Sequence, residues 1–189
     1  MLGPYFLETD RLGFRSWRAE DLPLALALWG NPDVTRFIAR SPLTAAEVDA
    51  RLQAEIAGDR RHGIQYWPIF RRADGAHVGC CGLRPHPSGE RVLELGVHLR
   101  PSHRRQGLAE EAATAAMAHA FQGLDALALF AGHHPENVAS RKLLLKLGFR
   151  STGEDYYPPT GLMHPSYLLA ATEWYSTHPW ARSRGARST

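Results

Sequence analysis

Apolar and polar residues alternate from Arg11 to Trp17, the period of a half-buried strand. Asp21 to Trp29 and Thr44 to Ala57 instead carry apolar residues at helical spacing, and Thr44 with Glu47 three residues later forms a capping box. Tyr66 to Arg71 and His77 to Leu83 read as strands joined by a hairpin turn at Ala73-Asp74-Gly75. Leu93 to Leu99 puts Leu93, Leu95, Val97 and Leu99 on one face and Glu94, Gly96 and His98 on the other. A helix follows from Gly107 to Gln122, with a polar stripe at Glu111, Thr114 and Gln122. The remaining positions are mostly alanine, so another surface can pack closely. Leu127 to Ala131 is a short apolar run, the buried kind of strand. Asn137 to Leu147 is amphipathic and ends at Gly148, a C-terminal cap. Arg150 to Tyr156 and Ser166 to Thr172 read as a last strand pair around a Pro/Gly loop.

This order predicts a mixed α/β fold, antiparallel at first, with a strand-helix-strand crossover in the middle. The 189 residues suit one domain, expected over 1–175, and a chain of this size buries enough core to need no metal or disulfide staple. An Arg/Ser-rich tail is expected over 176–189, mobile or serving as a docking arm. Arg182, Arg184 and Arg187 account for the net charge of +3; without them 19 basic residues face 19 acidic ones. No concentrated basic face for nucleic acid is expected on the domain. The longest apolar run, Leu22 to Trp29, is far short of the ~20 residues of a membrane span. No secretion signal is expected at the start, and the two adjacent cysteines, Cys80 and Cys81, fit a reducing cytoplasm rather than a disulfide framework.

The chemistry concentrates between Glu94 and Ala109. A strand enters a basic loop, and Arg104-x-x-Gly107-x-Ala109 opens a helix. Free N–H groups and the positive dipole end at a helix N-terminus attract phosphate oxygens, and small residues let the backbone come close. The loop is neither a Walker loop nor the GxGxxG of dinucleotide folds, and the carboxylates and lysine of a phosphotransferase are lacking. An ordinary capped strand-helix connection is the plain alternative.

With Asn137-x-x-Ser140 and Lys146-Leu147-Gly148-Phe149 downstream, the segment resembles the GNAT superfamily of N-acyltransferases. Leu7 to Leu12, Asn31 to Phe37 and Val78 to Leu83 are further similar to the branch that acetylates ribosomal-protein N-termini. The resemblance spans Leu7 to Thr172. It implies a central mixed, mostly antiparallel sheet flanked by helices, and acetyl-CoA as co-substrate without a metal. It also implies an amine acceptor, with no nucleic-acid or membrane partner, in a monomer or homodimer. Leu99, Arg104, Arg105, Gln106, Gly107, Leu108, Ala109 and Asn137 would contact the cofactor.

Glu94 is the candidate base, with Gly96 beside it open to a bulge or close ligand approach; facing solvent is its plain alternative. Ser140 matches the position proposed to hydrogen-bond the leaving sulfur. Asn137 is equally a helix N-cap. Where many relatives carry a tyrosine acid seven residues after this Asn, Leu144 stands here. His98, a strand histidine, shares the face of Glu94. His133 and His134 lack a third metal ligand at recognisable spacing, Cys80 and Cys81 read as buried thiols, and Trp29 and Trp67 as core or groove-wall aromatics. His164 and Tyr167 are placed at the acceptor site by fold analogy. The acceptor reading favours a peptide α-amine; small amines, amino acids and antibiotics, or a non-catalytic acyl-CoA sensor, are the alternatives.

Overall fold

The computed structural model describes residues 5–89 and 91–179. Its strands are β1 (Leu7–Glu8), β2 (Leu12–Phe14), β3 (Tyr66–Arg71), β4 (His77–Pro85), β5 (Val92–Leu99), β6 (Ala128–Gly132), β7 (Arg150–Tyr157) and β8 (Leu162–Ala170). The helices are α1 (Leu22–Trp29), α2 (Pro32–Thr35), α3 (Ala45–His62), α4 (Leu108–Ala118), α5 (Val138–Lys146) and α6 (Ala171–Thr177). One eight-stranded sheet runs in the order β1-β2-β3-β4-β5-β6-β8-β7. Neighbours are antiparallel except β5 and β6, which are parallel and therefore need a crossover, supplied by α4.

The sheet buries both faces. Trp67, Ile69, Cys81, Leu83 and Leu95 join the alanines of α4 and Trp174 of α6 in one core. Tyr66 and Cys80 face the other way and pack with Trp17, Trp29 and Leu52 under α1 and α3. The adjacent cysteines thus go to opposite cores, as strand alternation requires. Ala112, Ala113 and Ala116 are buried, the close packing expected of an alanine-rich helix.

The capping box at α3 is present: Glu47 accepts from the Thr44 amide at 2.8 Å while Thr44 Oγ1 accepts from the Glu47 amide. α3 continues past Ala57 to His62, where Gly63 at φ 69° ends it. The helix expected to reach Gln122 is α-helical to Ala118 and then widens into a π-turn over His119–Gly123. β8 begins before the expected Ser166: Pro165 turns its carbonyl, which accepts from His133 N, and with it its nitrogen, to the side where β6 pairing has ended at Gly132↔Ser166, and no ladder N–H is needed there. It ends at Ala170, whose amide donates to Glu173 at 3.0 Å and opens α6. Of the expected tail, residues 180–189 lie outside the described residues. Among the described residues no helix is long and apolar enough to cross a membrane.

His77 gives the fold a pH dependence. Its ring is buried against Trp17 at 5.6 Å and Phe70 at 5.4 Å. Burial, then the charge of Arg100, pushes its pKa down to about 4. Between that value and the unfolded pKa near ~6.5 the unfolded chain takes up a proton that the folded chain refuses, so acid favours unfolding. His77's contribution is present above pH ~6.5 and is lost progressively toward pH 4, on the order of 3 kcal/mol in all. Denaturant titrations at several pH values should show this loss, and His77→Phe should flatten the slope; an equal slope in both proteins would contradict the assignment.

Candidate active site

β5 and β6 pair only at Val92↔Ala128, Leu93↔Leu129 and Glu94↔Phe130. β5 runs on to Leu99 and β6 to Gly132 without further pairing, so the two parallel strands part just after Glu94. On its other edge β5 stays bonded to β4, with His86 N donating to Val92 O and Arg100 N donating to Val78 O, both at 3.0 Å. Those bonds place the even-numbered residues of β5 in its hydrogen-bonded pairs with β4. The amides of Val97 and Leu99 therefore point into the gap.

A cavity of about 450 Å³ fills this gap. Glu94 to His98 form one wall, Phe130 to His134 another, and Asn137, Ser140 and Leu144 of α5 a third. Phe37, Ile38 and Arg51 close it from the α2–α3 side, and Tyr157 and His164 from the β7–β8 side. Three of the sequence candidates, Glu94, Asn137 and Ser140, thus meet at one cavity. The wall on β5 stops at His98, so Leu99 and the segment 104–109 lie beyond it.

Glu94 does not merely face solvent. Its Oε1 accepts a hydrogen bond from the Tyr66 hydroxyl at 3.0 Å. Burial, and then the Glu94 charge, push the Tyr66 phenol far above its usual range, so it stays a donor. Behind it the Arg84 guanidinium lies 4.1 Å from the Tyr66 ring centroid and pairs with the buried carboxylate of Glu55. Gly96 makes no bulge, since β4 and β5 keep one register throughout. Nor does it leave room for a ligand on this face. A Cβ there would lie 2.3 Å from Tyr66 Cζ, so the missing side chain is what lets the Tyr66 ring lie across the strand to Glu94.

His98 lines the cavity, and its Nδ1 accepts from Trp29 Nε1 at 3.3 Å. That bond puts the proton of the neutral ring on Nε2. Burial, then Arg51 and Arg84, hold its pKa well below the ordinary histidine range. Asn137 Oδ1 accepts from the Ser140 amide at 3.1 Å, the N-cap of α5. Leu144 is buried at the cavity wall. The phenols that do reach the cavity, Tyr66, Tyr156 and Tyr157, come from other strands; burial raises the Tyr157 pKa as well.

The basic loop takes an unusual path. Arg105 and Gly107 both have left-handed backbones, at φ 59° and 76°. α4 then starts with no side chain capping it, leaving its first amides open to an anion. A Cβ at Gly107 would meet only Arg11 Nη2, at 3.4 Å. Arg104 is committed to the protein: Nε donates to Leu99 O at 3.2 Å and Nη2 to Asp33 O at 3.0 Å. Arg105 and Gln106 are exposed, while the Leu108 side chain is buried and leaves only its backbone to a ligand. Arg11 ties the loop down, donating to Gln106 O at 2.9 Å and pairing with Glu111 at 2.6 Å.

Other candidates resolve differently. Cys80 and Cys81 are fully buried, and burial pushes the Cys80 thiol up to about 12 and the Cys81 thiol well above its ordinary range, so neither is a ready nucleophile. His133 has both nitrogens engaged, with His134 O at 2.8 Å and the Tyr167 hydroxyl at 3.3 Å. Tyr167 is buried behind that histidine and does not line the cavity, whereas His164 does. Trp29 and Trp67 are core residues. Tyr66 and Tyr157 escaped the sequence reading; only Gly96, a gap in a strand face, hinted that a ring crosses there.

Residues 11–150 match the model of the acetyltransferase (GNAT) domain. The Bacillus subtilis (strain 168) protein called uncharacterized N-acetyltransferase YoaA is 30% identical over 149 residues, 78% of this chain and 84% of that protein. Among solved structures, a GNAT-family acetyltransferase from Bacillus anthracis matches with a TM-score of 0.76 at 20% identity, covering 88% of this chain and 99% of that one. RimL, a ribosomal L7/L12 alpha-N-protein acetyltransferase, matches with a TM-score of 0.72 at 18% identity over 86% of this chain and 91% of its own. The last two likenesses are of fold.

Proposed function

The chain belongs to the GNAT family of acetyltransferases, and we propose that its acceptor is a protein or peptide N-terminal α-amine, which attacks directly in a ternary complex with acetyl-CoA. The observation that carries this reading is the meeting of Glu94 and Ser140 at one cavity, where β5 and β6 part.

The residues suit acetyl-CoA. The uncapped start of α4, with Arg105 and Gly107 beside it, offers amides and charge to a pyrophosphate. The inward amides of Val97 and Leu99 offer donors to the rest of the molecule. Acetyl-CoA supplies a thioester whose carbonyl carbon accepts the amine, so that a C–N bond forms and a C–S bond breaks. Glu94 takes the proton that the amine loses, directly or through water. The β5 amides offer fixed donors to the carbonyl oxygen as charge builds on it. Ser140 offers a hydrogen bond to the departing sulfur, enough for a thiolate whose pKa is about that of free cysteine, ~8.5. The buried, protonated cysteines favour direct attack over an acyl-cysteine.

An α-amine, with a pKa of about 8, is substantially neutral near neutral pH, whereas a lysine amine at about 10.4 is not. One carboxylate base serves the former without help. Thiol release from acetyl-CoA in the presence of peptides with free N-termini tests this, with N-terminally blocked, lysine-containing peptides as controls. Acetylation of the free N-termini alone is the expected result. Acetylation of lysine in the blocked peptides would overturn the α-amine reading.

A further inference from the structure

The charged groups on the cavity wall nearly all have a partner within the protein. Arg84 pairs with Glu55 and stacks on Tyr66. Glu94 accepts the Tyr66 hydroxyl, and Asp155 accepts the Ser166 hydroxyl at 2.6 Å. Arg51 is the exception. It projects from α3 into the cavity with its guanidinium carbon 4.7 Å from the Trp29 ring centroid. Its Nε is buried without a hydrogen-bond partner. Among the described residues no carboxylate pairs with it. A guanidinium held on an aromatic face, with donors left over, is preorganised for a planar anion.

Its surroundings agree. His98 presents a neutral ring whose proton sits on Nε2, since Nδ1 is taken by Trp29. Arg51 is one of the charges that keep that ring unprotonated, and it also acts on the Tyr157 phenol. Trp29, His98, Tyr157 and Cys80 lie beside it and supply no negative charge at neutral pH; Glu55, one turn further along α3, is held by Arg84 and the Tyr66 amide, and Glu94 by the Tyr66 hydroxyl. The same cavity thus holds a carboxylate, Glu94, suited to an amine, and a free arginine suited to an acid.

We propose that Arg51 binds a carboxylate of the acceptor, so that the preferred substrate is an amine carrying a carboxylate close to it. This rests on the function proposed above, with the α2–α3 side of the cavity as the acceptor site beside acetyl-CoA in the β5–β6 gap. Two sources share that chemistry: a free α-amino acid, or a peptide with an acidic residue at its N-terminus. The terminal carboxylate at the far end of a long peptide would not serve.

The test is a set of matched amines at saturating acetyl-CoA: alanine against alaninamide, and glutamate-first against glutamine-first peptide amides. A charge-assisted hydrogen bond contributes about 1.5–3 kcal/mol, so kcat/KM should favour the carboxylate member of one pair by roughly 10- to 100-fold. The pair that shows the preference identifies the source. Arg51→Gln should bring that ratio close to one, and Arg51→Lys, which keeps the charge but loses the fork, should leave it intermediate. Retained heat of acetyl-CoA binding in both variants shows that they are folded. A wild-type ratio near one, or a ratio unmoved by Arg51→Gln, overturns the carboxylate site while leaving acetyl transfer standing. No thiol release with any amine would instead overturn the acetyl-transfer reading, and this one with it.

Discussion

Replacing Glu94 by glutamine is expected to lower kcat by roughly 10²-fold or more, the contribution of a well-placed general base. Glutamine keeps the size of the side chain and an oxygen to accept the Tyr66 hydroxyl, which lies 3.0 Å away in the wild type. The loss would therefore report chemistry rather than collapse of the wall. Tyr66→Phe offers a finer probe of the same group. Without the Tyr66 hydroxyl the carboxylate loses the group that orients it, so kcat should fall while acetyl-CoA affinity is kept. Steady-state rates check both; an unchanged rate in Glu94→Gln would remove the residue from the mechanism.

The second large effect is expected at Gly107. A valine there should weaken acetyl-CoA binding by at least about 100-fold, through the loss of two or more charge-assisted contacts at about 1.5–3 kcal/mol each. Two features of Gly107 make the effect specific. Its backbone is left-handed at φ 76°, and its Cβ direction is free of the protein apart from Arg11 Nη2. A side chain would therefore occupy the approach to the uncapped start of α4. The left-handed backbone adds strain of about 1–2 kcal/mol for any L-residue, so Gly107→Ala separates the two contributions. Thermal melting measures the strain and calorimetry the affinity. Affinity retained in a folded Gly107→Val protein would refute the loop's role.

The sequence disclosed what is periodic and local. The clean alternation of Leu93 to Leu99, the alanines of α4 and the glycine after α5 each announce an element by their own spacing. Elements too short for a period were hidden: β1 has two residues and α2 four. α6 buries a single large side chain, Trp174, which no pattern could flag. Pro165 argues against a strand, and only the end of β6 at Gly132, on the side its nitrogen faces, shows how β8 runs through it.

The site divides the same way. Glu94 lies in the alternating strand, and Asn137 and Ser140 in a capped helix, so local signals found all three. Their companions reach the cavity across the sheet, Tyr66 on β3 and Arg51 on α3, and nothing in sequence connects them with Glu94. Gly96 shows the limit well. Its lack of a side chain was legible, but the group that fills the space is the Tyr66 ring from two strands away. Arg104 shows another: its basic character was plain, while its ties to Leu99 and Asp33 depend on the folded loop.

The proposed seat of acetyl-CoA is the gap between β5 and β6 together with the start of α4. Calorimetric titration of the protein with acetyl-CoA tests it most directly. The expected result is saturable binding at one site per protein molecule, followed by thiol release when an acceptor amine is added to the same sample. Absence of binding would contradict it.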